Sequence, residues 1–251
     1  RVVDLMNLDR GARREPVIER DRLELDCQPI VRDTTSRPER FELLVRQRNV
    51  DGVRCMPSTF LPQADKAGLL PELDRWVVGQ AVDWLSARSA FGLPTYTLNI
   101  NLSAPTIADG NFASDLRKLL SEVEIEGKYL CFEVTESASI RDLEQAAHVL
   151  EELRNEGATI ALDDFGTGHS SFNRLSSLPV DFLKIDGVFV KGMAHRKVDK
   201  TIVRTIIELG HSLDIAVVVE DEEVAASLKP LGVDLLQGYA LGRPTSFAEL
   251  N

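Results

Sequence analysis

Segments rich in β-branched apolar residues alternate along most of this chain with segments whose apolar residues recur at helical spacing. About eight strand-like segments occur, and most of them precede a helix-like one. Repeated β-α units with short connections form parallel sheets with right-handed crossovers, and about eight units favour closure into a barrel. A Rossmann sheet would carry a glycine-rich fingerprint after its first strand, and the sequence has none. The sequence therefore predicts an α/β fold, a TIM-like (β/α)8 barrel.

The amino-terminal part of the chain departs from this alternation. Segments 23–31 and 40–47 are joined by DTTSRP with no helix between them, which is typical of a hairpin. Residues 1–20 are charged and begin with Arg rather than Met, so we interpret them as a lead-in from a longer protein. Because no linker or repeat interrupts the remainder, residues 21–251 are predicted to form one domain.

Composition argues against several classes of function. Lysine and arginine total 29 against 40 aspartate and glutamate residues, and this net charge of −11 disfavours binding to a DNA or RNA polymer. No apolar run approaches the ~18 residues of a membrane span, so no membrane contact is expected. Three cysteines without CxxC spacing and four histidines without HxH or HExxH spacing argue against disulfides and zinc. We therefore predict a cytoplasmic location, with the cytoplasmic part of a membrane-anchored protein as the alternative, and oxygen ligands for any metal.

Polar residues interrupt the apolar segments where the predicted strands end, which is where β/α barrels carry their active sites. Six strands offer such residues, namely Glu42, Asn101, Glu133, Asp163 with Asp164, Lys184 and Glu220. Carboxylates converging on one barrel mouth repel each other unless a cation lies between them. Oxygen ligands with adjacent aspartates fit two Mg²⁺ or Mn²⁺ ions, the arrangement typical of phosphoester hydrolysis. Lys184 would then orient the attacking water or neutralise developing charge.

Each of these residues, taken singly, also has an ordinary structural interpretation. An acid at a strand end is commonly a helix cap, and Asp163 and Asp164 precede FGTG, which is typical of a turn. Asn101 fits a strand-end Asx-turn, and Lys184 fits a solvated rim position. Their coincidence at six strand ends favours the metal site.

The motifs, in order, resemble those of EAL domains, bacterial phosphodiesterases that hydrolyse cyclic di-GMP, over roughly residues 20–248. They are QPI (28–30), ELLVR (42–46), FLP (60–62), AGLL (67–70), NINLS (99–103), EVTE (133–136), DDFGTGHSS (163–171), LPVDFLKID (178–186), VVVE (217–220) and QGYALGRP (237–244). DDFGTG with KID and QGY at this spacing is highly specific. The resemblance implies a barrel with one antiparallel strand near the amino terminus. It also implies hydrolysis of cyclic di-GMP to linear 5′-pGpG, which lowers the level of a bacterial second messenger.

The resemblance implies a role for each matching residue. The implied metal ligands are Glu42, Asn101, Glu133 and Asp163 for a first ion and Asp164 for a second. Glu220 resembles either a ligand of the second ion or the general base, and Lys184 resembles the catalytic lysine. The implied substrate-binding residues are Gln28, Leu44, Arg46, Asp186 and Gln237, with Arg46 as the phosphate contact. Two Mg²⁺ or Mn²⁺ ions are expected to support turnover, and Ca²⁺ is expected to inhibit it.

A loop after the DDFGTG motif is associated in this family with dimerisation and metal occupancy. The residues implied in this control are Glu136, Gly166, Thr167, Gly168 and Glu223. By the same resemblance we expect a homodimer, and sensory or cyclase domains upstream in the full-length protein.

The sequence departs from the family pattern after Glu220, where Asp221 and Glu222 replace the usual Gly and Val. Two further acids beside a metal-site glutamate would alter metal affinity, and a non-glycine residue would shift the strand end if that position requires a positive φ. An alternative hypothesis is therefore a catalytically silent EAL-type receptor that binds cyclic di-GMP without hydrolysing it.

Overall fold

Eight strands close into a barrel in the computed structural model of the protein. The structure describes residues 18–135, 143–166, 175, 177–193, 195–220 and 228–250. The barrel strands are β1 (Leu23–Val31), β2 (Arg40–Arg48), β4 (Thr97–Leu102), β5 (Leu130–Thr135), β6 (Thr159–Phe165), β7 (Phe182–Ile185), β8 (Ala216–Glu220) and β9 (Leu235–Gln237). Two short strands, β3 (Arg54–Cys55) and β10 (Thr245–Ser246), pair with β2 and β1 respectively.

Strand direction confirms the predicted barrel. Strands β2, β4, β5, β6, β7, β8 and β9 are parallel and paired in that order. Strand β1 closes the barrel by pairing antiparallel with both β2 and β9. The hairpin expected from 23–31 and 40–47 is therefore present, and β1 is the expected antiparallel strand. Because β1 runs the opposite way, its residue Gln28 lies opposite Glu42 of β2.

Helices cover the outside of the barrel and bury one apolar face each. The described α-helices are α1 (Pro57–Lys66), α2 (Leu70–Ala90), α3 (Ala104–Ile107), α4 (Phe112–Val123), α5 (Leu143–Asn155), α6 (Gly187–Met193) and α7 (Lys197–Ser212). In α4, Phe112, Leu116 and Leu120 recur every four residues and are buried, which is the spacing of a core-facing helical stripe. No helix among the described residues is both long and apolar enough to span a bilayer.

The element boundaries differ from the sequence prediction in a few places. Helices α3 and α6 were not predicted, because segments of four and seven residues are too short to show a helical period. The spacing of apolar residues also predicts short helices near 170–176 and 222–229, and these segments lie mostly outside the described residues.

Candidate active site

Lys184 lies at the centre of the barrel mouth, with a side chain only 1% exposed. Its Nζ lies 2.7 Å from Glu133 Oε2 and 2.9 Å from Glu220 Oε1. Asp163 Oδ1 and Glu42 Oε2 lie 3.4 and 3.5 Å from the same nitrogen. Burial alone would lower the pKa of this ammonium, but the four carboxylates outweigh burial and raise the pKa well above its ordinary value. Lys184 is therefore a charged, buried residue and not the solvated rim residue considered as an alternative.

Glu42 is held by amide side chains from two other strands. Asn101 Nδ2 donates to Glu42 Oε1 at 2.8 Å, and Gln237 Nε2 donates to Glu42 Oε2 at 2.6 Å. Gln28 Oε1 lies 3.4 Å from the same Gln237 nitrogen. Burial favours protonation of Glu42, but Lys184 and the two amides outweigh burial and lower its pKa. Glu42 is therefore an ionised carboxylate of fixed orientation.

Glu133 ends a hydrogen-bonded column that crosses the barrel interior. Its Oε1 accepts a hydrogen bond from Asn99 Nδ2 at 2.6 Å, and Asn99 Oδ1 accepts one from Arg40 Nη1 at 3.0 Å. Burial and repulsion from Glu42, opposed by Lys184, raise the pKa of Glu133 to about 8.

Asp163 and Asp164 lie at a β-bulge. The pairing of β6 with β7 shifts between Leu162 and Phe165, and Asp164 has a left-handed φ of 57°. Partial desolvation and repulsion from Asp163 and Asp186 raise the pKa of Asp164. The bulge therefore places two successive carboxylates at the mouth, since bulges redirect side chains beside active sites.

A groove of about 420 Å³ opens at this mouth. It is lined by seven of the predicted residues, namely Gln28, Glu42, Leu44, Asp163, Asp186, Glu220 and Gln237. Val188 and Tyr239 also line it and are 69% and 44% exposed, which makes them apolar surfaces available to a ligand. The volume falls within the range usual for small-molecule sites.

Two predicted substrate-binding residues have partners within the protein. Asp186 Oδ1 accepts a hydrogen bond from the Val188 backbone N–H at 2.6 Å, at the start of α6, while its side chain still borders the groove. Arg46 is 5% exposed, and its Nε lies 2.9 Å from Asp26 Oδ2. A phosphate contact by Arg46 would therefore require this ion pair to open.

Several predicted positions cannot be placed. The control residues Glu136, Thr167, Gly168 and Glu223, and the departures Asp221 and Glu222, lie outside the described residues. Gly166 is described, with a φ of 98°, and a Cβ there would approach the Phe189 ring to 3.0 Å. Glycine is thus required at 166 for both backbone and space.

Sequence reasoning missed Asn99 and Arg40. Asn99 precedes Asn101 by two residues on β4, so both amides point to the same face of the strand. That alternation was the available signal for Asn99. For Arg40 no local signal existed, because only barrel closure directs the start of β2 into the interior.

The donor chemistry of the mouth fits a hard divalent cation. Five carboxylates lie near the single ammonium of Lys184 and exceed it in charge, namely those of Glu42, Glu133, Asp163, Asp164 and Glu220. The pKa values of Glu133, Asp164 and Glu220 are raised. Gln237 Oε1 is buried and accepts no hydrogen bond within the described part of the chain. Among those residues, no three acidic, histidine or cysteine side chains are already arranged around a common metal position. Oxygen donors and surplus negative charge favour binding of Mg²⁺ or Mn²⁺. Lys184 neutralises only part of this negative charge.

Sequence comparison agrees with this geometry. The sequence profile of the EAL domain matches residues 10–244. The chain belongs to the EAL-domain family. This confirms the resemblance of the motifs.

Curated relatives of this EAL domain include two named phosphodiesterases. The chain is 34% identical over 236 residues to cyclic di-GMP phosphodiesterase PdeF of Escherichia coli, covering 92% of this chain and 31% of PdeF. It is 35% identical over 235 residues to cyclic di-GMP phosphodiesterase PdeB of Shewanella oneidensis, covering 92% of this chain and 27% of PdeB. The chain thus spans less than a third of the length of each of these relatives.

Solved EAL domains have the same fold. The PaMucR phosphodiesterase in its c-di-GMP complex superposes with a TM-score of 0.85 and 34% identity, covering 92% of this chain and 95% of that one. The FimX EAL domain of Pseudomonas aeruginosa bound to c-di-GMP superposes with a TM-score of 0.81 and 27% identity, covering 90% and 91%. The barrel of this EAL domain is therefore the family fold.

Proposed function

We propose that this EAL domain hydrolyses one phosphodiester bond of cyclic di-GMP and releases linear 5′-pGpG, in a reaction that depends on Mg²⁺ or Mn²⁺. The observation that carries the proposal is that carboxylates from β2, β5, β6 and β8 converge on buried Lys184, with Asn101 of β4 bonded to one of them, beside an open groove. The named activity of PdeF and PdeB, and the c-di-GMP complex of PaMucR, support the choice of substrate.

The metal ligands would be Glu42, Asn101, Glu133 and Asp163 for one ion, with Asp164 and Glu220 for a second. When bound, such ions lower the pKa of a water molecule and neutralise the charge of an in-line displacement at phosphorus. Two ions are expected to support turnover, and Ca²⁺ is expected to inhibit it.

Lys184 contributes a fixed positive charge to the reaction. The four carboxylates around Lys184 raise its pKa and keep its ammonium protonated, so Lys184 would stabilise negative charge developing on the phosphoryl oxygens. Glu220 is the most accessible of its four carboxylate partners, with 37% of its side chain exposed beside the groove. Glu220 is thus positioned to accept the proton of the attacking water.

The groove supplies contacts for the guanine bases and the sugar-phosphate ring. Tyr239 offers an aromatic face for stacking, and Leu44 and Val188 offer apolar surface. Gln237 Oε1 has no donor among the described residues but is buried, so a ligand N–H would reach it only after this side chain rotates. These contacts would orient one phosphodiester bond toward the acidic cluster.

The test is incubation of the purified chain with cyclic di-GMP and Mn²⁺, followed by anion-exchange chromatography of the nucleotides. We expect pGpG to form, EDTA to stop its formation, and added Mn²⁺ to restore it. Glu42→Gln should abolish turnover while the exposed helical change Glu144→Gln has no effect. Absence of linear product at every metal concentration would exclude the phosphodiesterase.

Calorimetry on the same protein distinguishes the hypothesis of a catalytically silent receptor from the hypothesis of an enzyme. Binding of cyclic di-GMP without product would establish a receptor, whereas binding with product supports the enzyme. Cytoplasmic location, a homodimer and upstream regulatory domains stay predictions, and sedimentation of the purified chain tests the dimer.

A further inference from the structure

A second cavity lies at the opposite, amino-terminal end of the barrel. It has a volume of about 460 Å³ and is bordered by the first residues of β2, β4, β7, β8 and β9 and by the last residues of β1. The active-site groove lies at the other ends of these strands. The two openings therefore share the barrel axis and no lining residue.

Three arginines, Arg32, Arg37 and Arg40, line this cavity. Arg32 and Arg37 are exposed, and neither forms an ion pair or a hydrogen bond through its side chain with any residue that the structure describes. Two acids, Glu39 and Asp234, also line the cavity. The lining is therefore positive by one charge on a chain whose net charge is −11, which makes it a local exception to the acidic surface.

Arg40 is the innermost of the three and is partly buried. Its guanidinium lies over the Phe182 ring, 4.3 Å from the centroid, and donates to the neutral amide oxygen of Asn99. Within the described residues, no carboxylate neutralises it at ion-pair distance. A guanidinium stays charged whatever its neutral partners are, so Arg40 contributes a positive charge to the cavity wall.

The acids do not cancel this charge. Asp234 Oδ2 accepts a hydrogen bond from the Val217 N–H at 2.7 Å and lies 3.0 Å from His211 Nε2, so that oxygen is already engaged. Glu39 is exposed, next to Arg40 in sequence, and forms no ion pair in the described structure. The cations thus outnumber the acids at the cavity wall.

We propose that this cavity binds a small phosphate-bearing molecule of about nucleoside monophosphate size. Planar guanidinium groups bind phosphate oxygens in pairs, and the volume falls in the range of small-molecule sites. Arg32 and Arg37 are exposed and Arg40 is partly buried in the same lining, so a bound phosphate would have guanidinium groups available at both depths of the cavity. This inference does not depend on the phosphodiesterase activity.

The test is isothermal titration calorimetry with inorganic pyrophosphate and with GMP, in EDTA so that no metal holds phosphate at the other end of the barrel. We expect both probes to bind, and Arg32→Met/Arg37→Met to weaken binding by about tenfold or more. The matched control Arg117→Met/Arg204→Met removes two exposed arginines from helices elsewhere and should leave affinity unchanged. Tyr239→Ala, in the active-site groove, should leave the affinity for pyrophosphate unchanged, because pyrophosphate has no base to stack on this ring.

Arg40 is tested by Arg40→Met and Arg40→Lys, with thermal melting to confirm folding. The lysine variant should retain more affinity than the methionine variant, because it keeps the charge without the planar fork. The rim variants at 32 and 37 keep the test decisive if Arg40→Met does not fold. Absence of binding at millimolar concentration, equal affinity in all variants, or tighter binding of malonate than of pyrophosphate would each overturn the proposal.

Discussion

Lys184 is the residue on which the charge balance of the barrel mouth depends. It is the cation shared by four carboxylates, and it is buried with three of them largely out of solvent. A buried ion cluster is costly to assemble, and breaking it by removing one partner is costlier still, because the remaining charges are left uncompensated. Lys184 therefore has a structural role in addition to the proposed catalytic one.

Lys184→Met should destabilise the metal-free protein by about 3–5 kcal/mol. The double variant Lys184→Met/Glu133→Gln should recover part of this loss, since it removes opposite charges together. Urea unfolding in EDTA measures both effects, with exposed Lys118→Met as the control. Equal stability of Lys184→Met and wild type would show that the cluster is not held by this charge.

Asp164 combines a left-handed backbone with a charged side chain. A β-branched residue at its φ of 57° is strained, whereas asparagine adopts this conformation readily. Asp164→Val should therefore lower stability by about 1–2 kcal/mol, and Asp164→Asn should not. Because Asp164→Asn still removes a predicted metal ligand, it should fold normally and lose turnover, which melting and the hydrolysis assay measure separately. A strongly destabilised asparagine variant would contradict this account.

At the scale of elements, the end of β4 is fixed by a residue of α2, the helix that precedes this strand in the chain. Asp74, on α2, is 7% exposed and reaches the loop after β4. Its Oδ2 accepts hydrogen bonds from the Ser103 N–H at 2.8 Å, from Ser103 Oγ at 2.7 Å and from Thr106 Oγ1 at 2.6 Å. Asp74 thereby caps α3 from another helix and fixes the chain two residues beyond Asn101.

Asp74→Ala should cost about 1–3 kcal/mol, because it leaves buried donors without an acceptor. Asp74→Asn keeps one oxygen for these donors and should be milder. Burial raises the pKa of Asp74, partly opposed by Ser103 and Thr106, so the folded state binds the proton more tightly than the unfolded state. The contribution of Asp74 to stability is then largest below its unfolded pKa and falls as pH rises through the folded pKa. Urea unfolding across acidic pH should show this slope in wild type and a smaller slope in Asp74→Asn.

At the scale of the whole molecule, closure of the barrel depends on the antiparallel strand β1. Its pairing with β9 involves only Ile30 with Gln237 and Val31 with Leu236. Gly242 reinforces this seam, because its carbonyl accepts a hydrogen bond from Gln28 Nε2 at 3.2 Å and an added Cβ would approach Pro29 Cγ to 2.4 Å. The seam requires glycine for close approach of two chain segments.

Gly242→Val should lower stability by about 1–3 kcal/mol through overpacking. It should also weaken cyclic di-GMP binding, because Gln28 borders the groove. Gly79, inside α2, has open space around an added Cβ, so Gly79→Ala should raise stability by about 0.5–1 kcal/mol. Thermal melting of Gly242→Val and of Gly79→Ala compares their effects on stability. Similar effects at both positions would contradict the close approach at Gly242.

Much of the barrel and of the acidic cluster follows from sequence, since both depend on local patterns. Hydrophobic period identifies β5 or α4 without reference to the rest of the chain, and polar residues ending parallel strands must meet at one edge. Arg46 shows the limit of this reasoning. Its motif predicts a phosphate contact, but its ion pair with Asp26 depends on the register between β1 and β2, which no local pattern specifies.

The fold class, the family and the set of oxygen donors at the barrel mouth could be read from the amino-acid sequence, because these depend on periodicity and on residue identity at strand ends. Three features required the folded barrel: the choice of donors that contact Lys184, the hydrogen bonds from Glu133 through Asn99 to Arg40, and the three arginines at the second cavity. Those features depend on strand pairing and on burial between residues far apart in the chain. Long-range pairing is a property of the closed barrel, and no short segment encodes it.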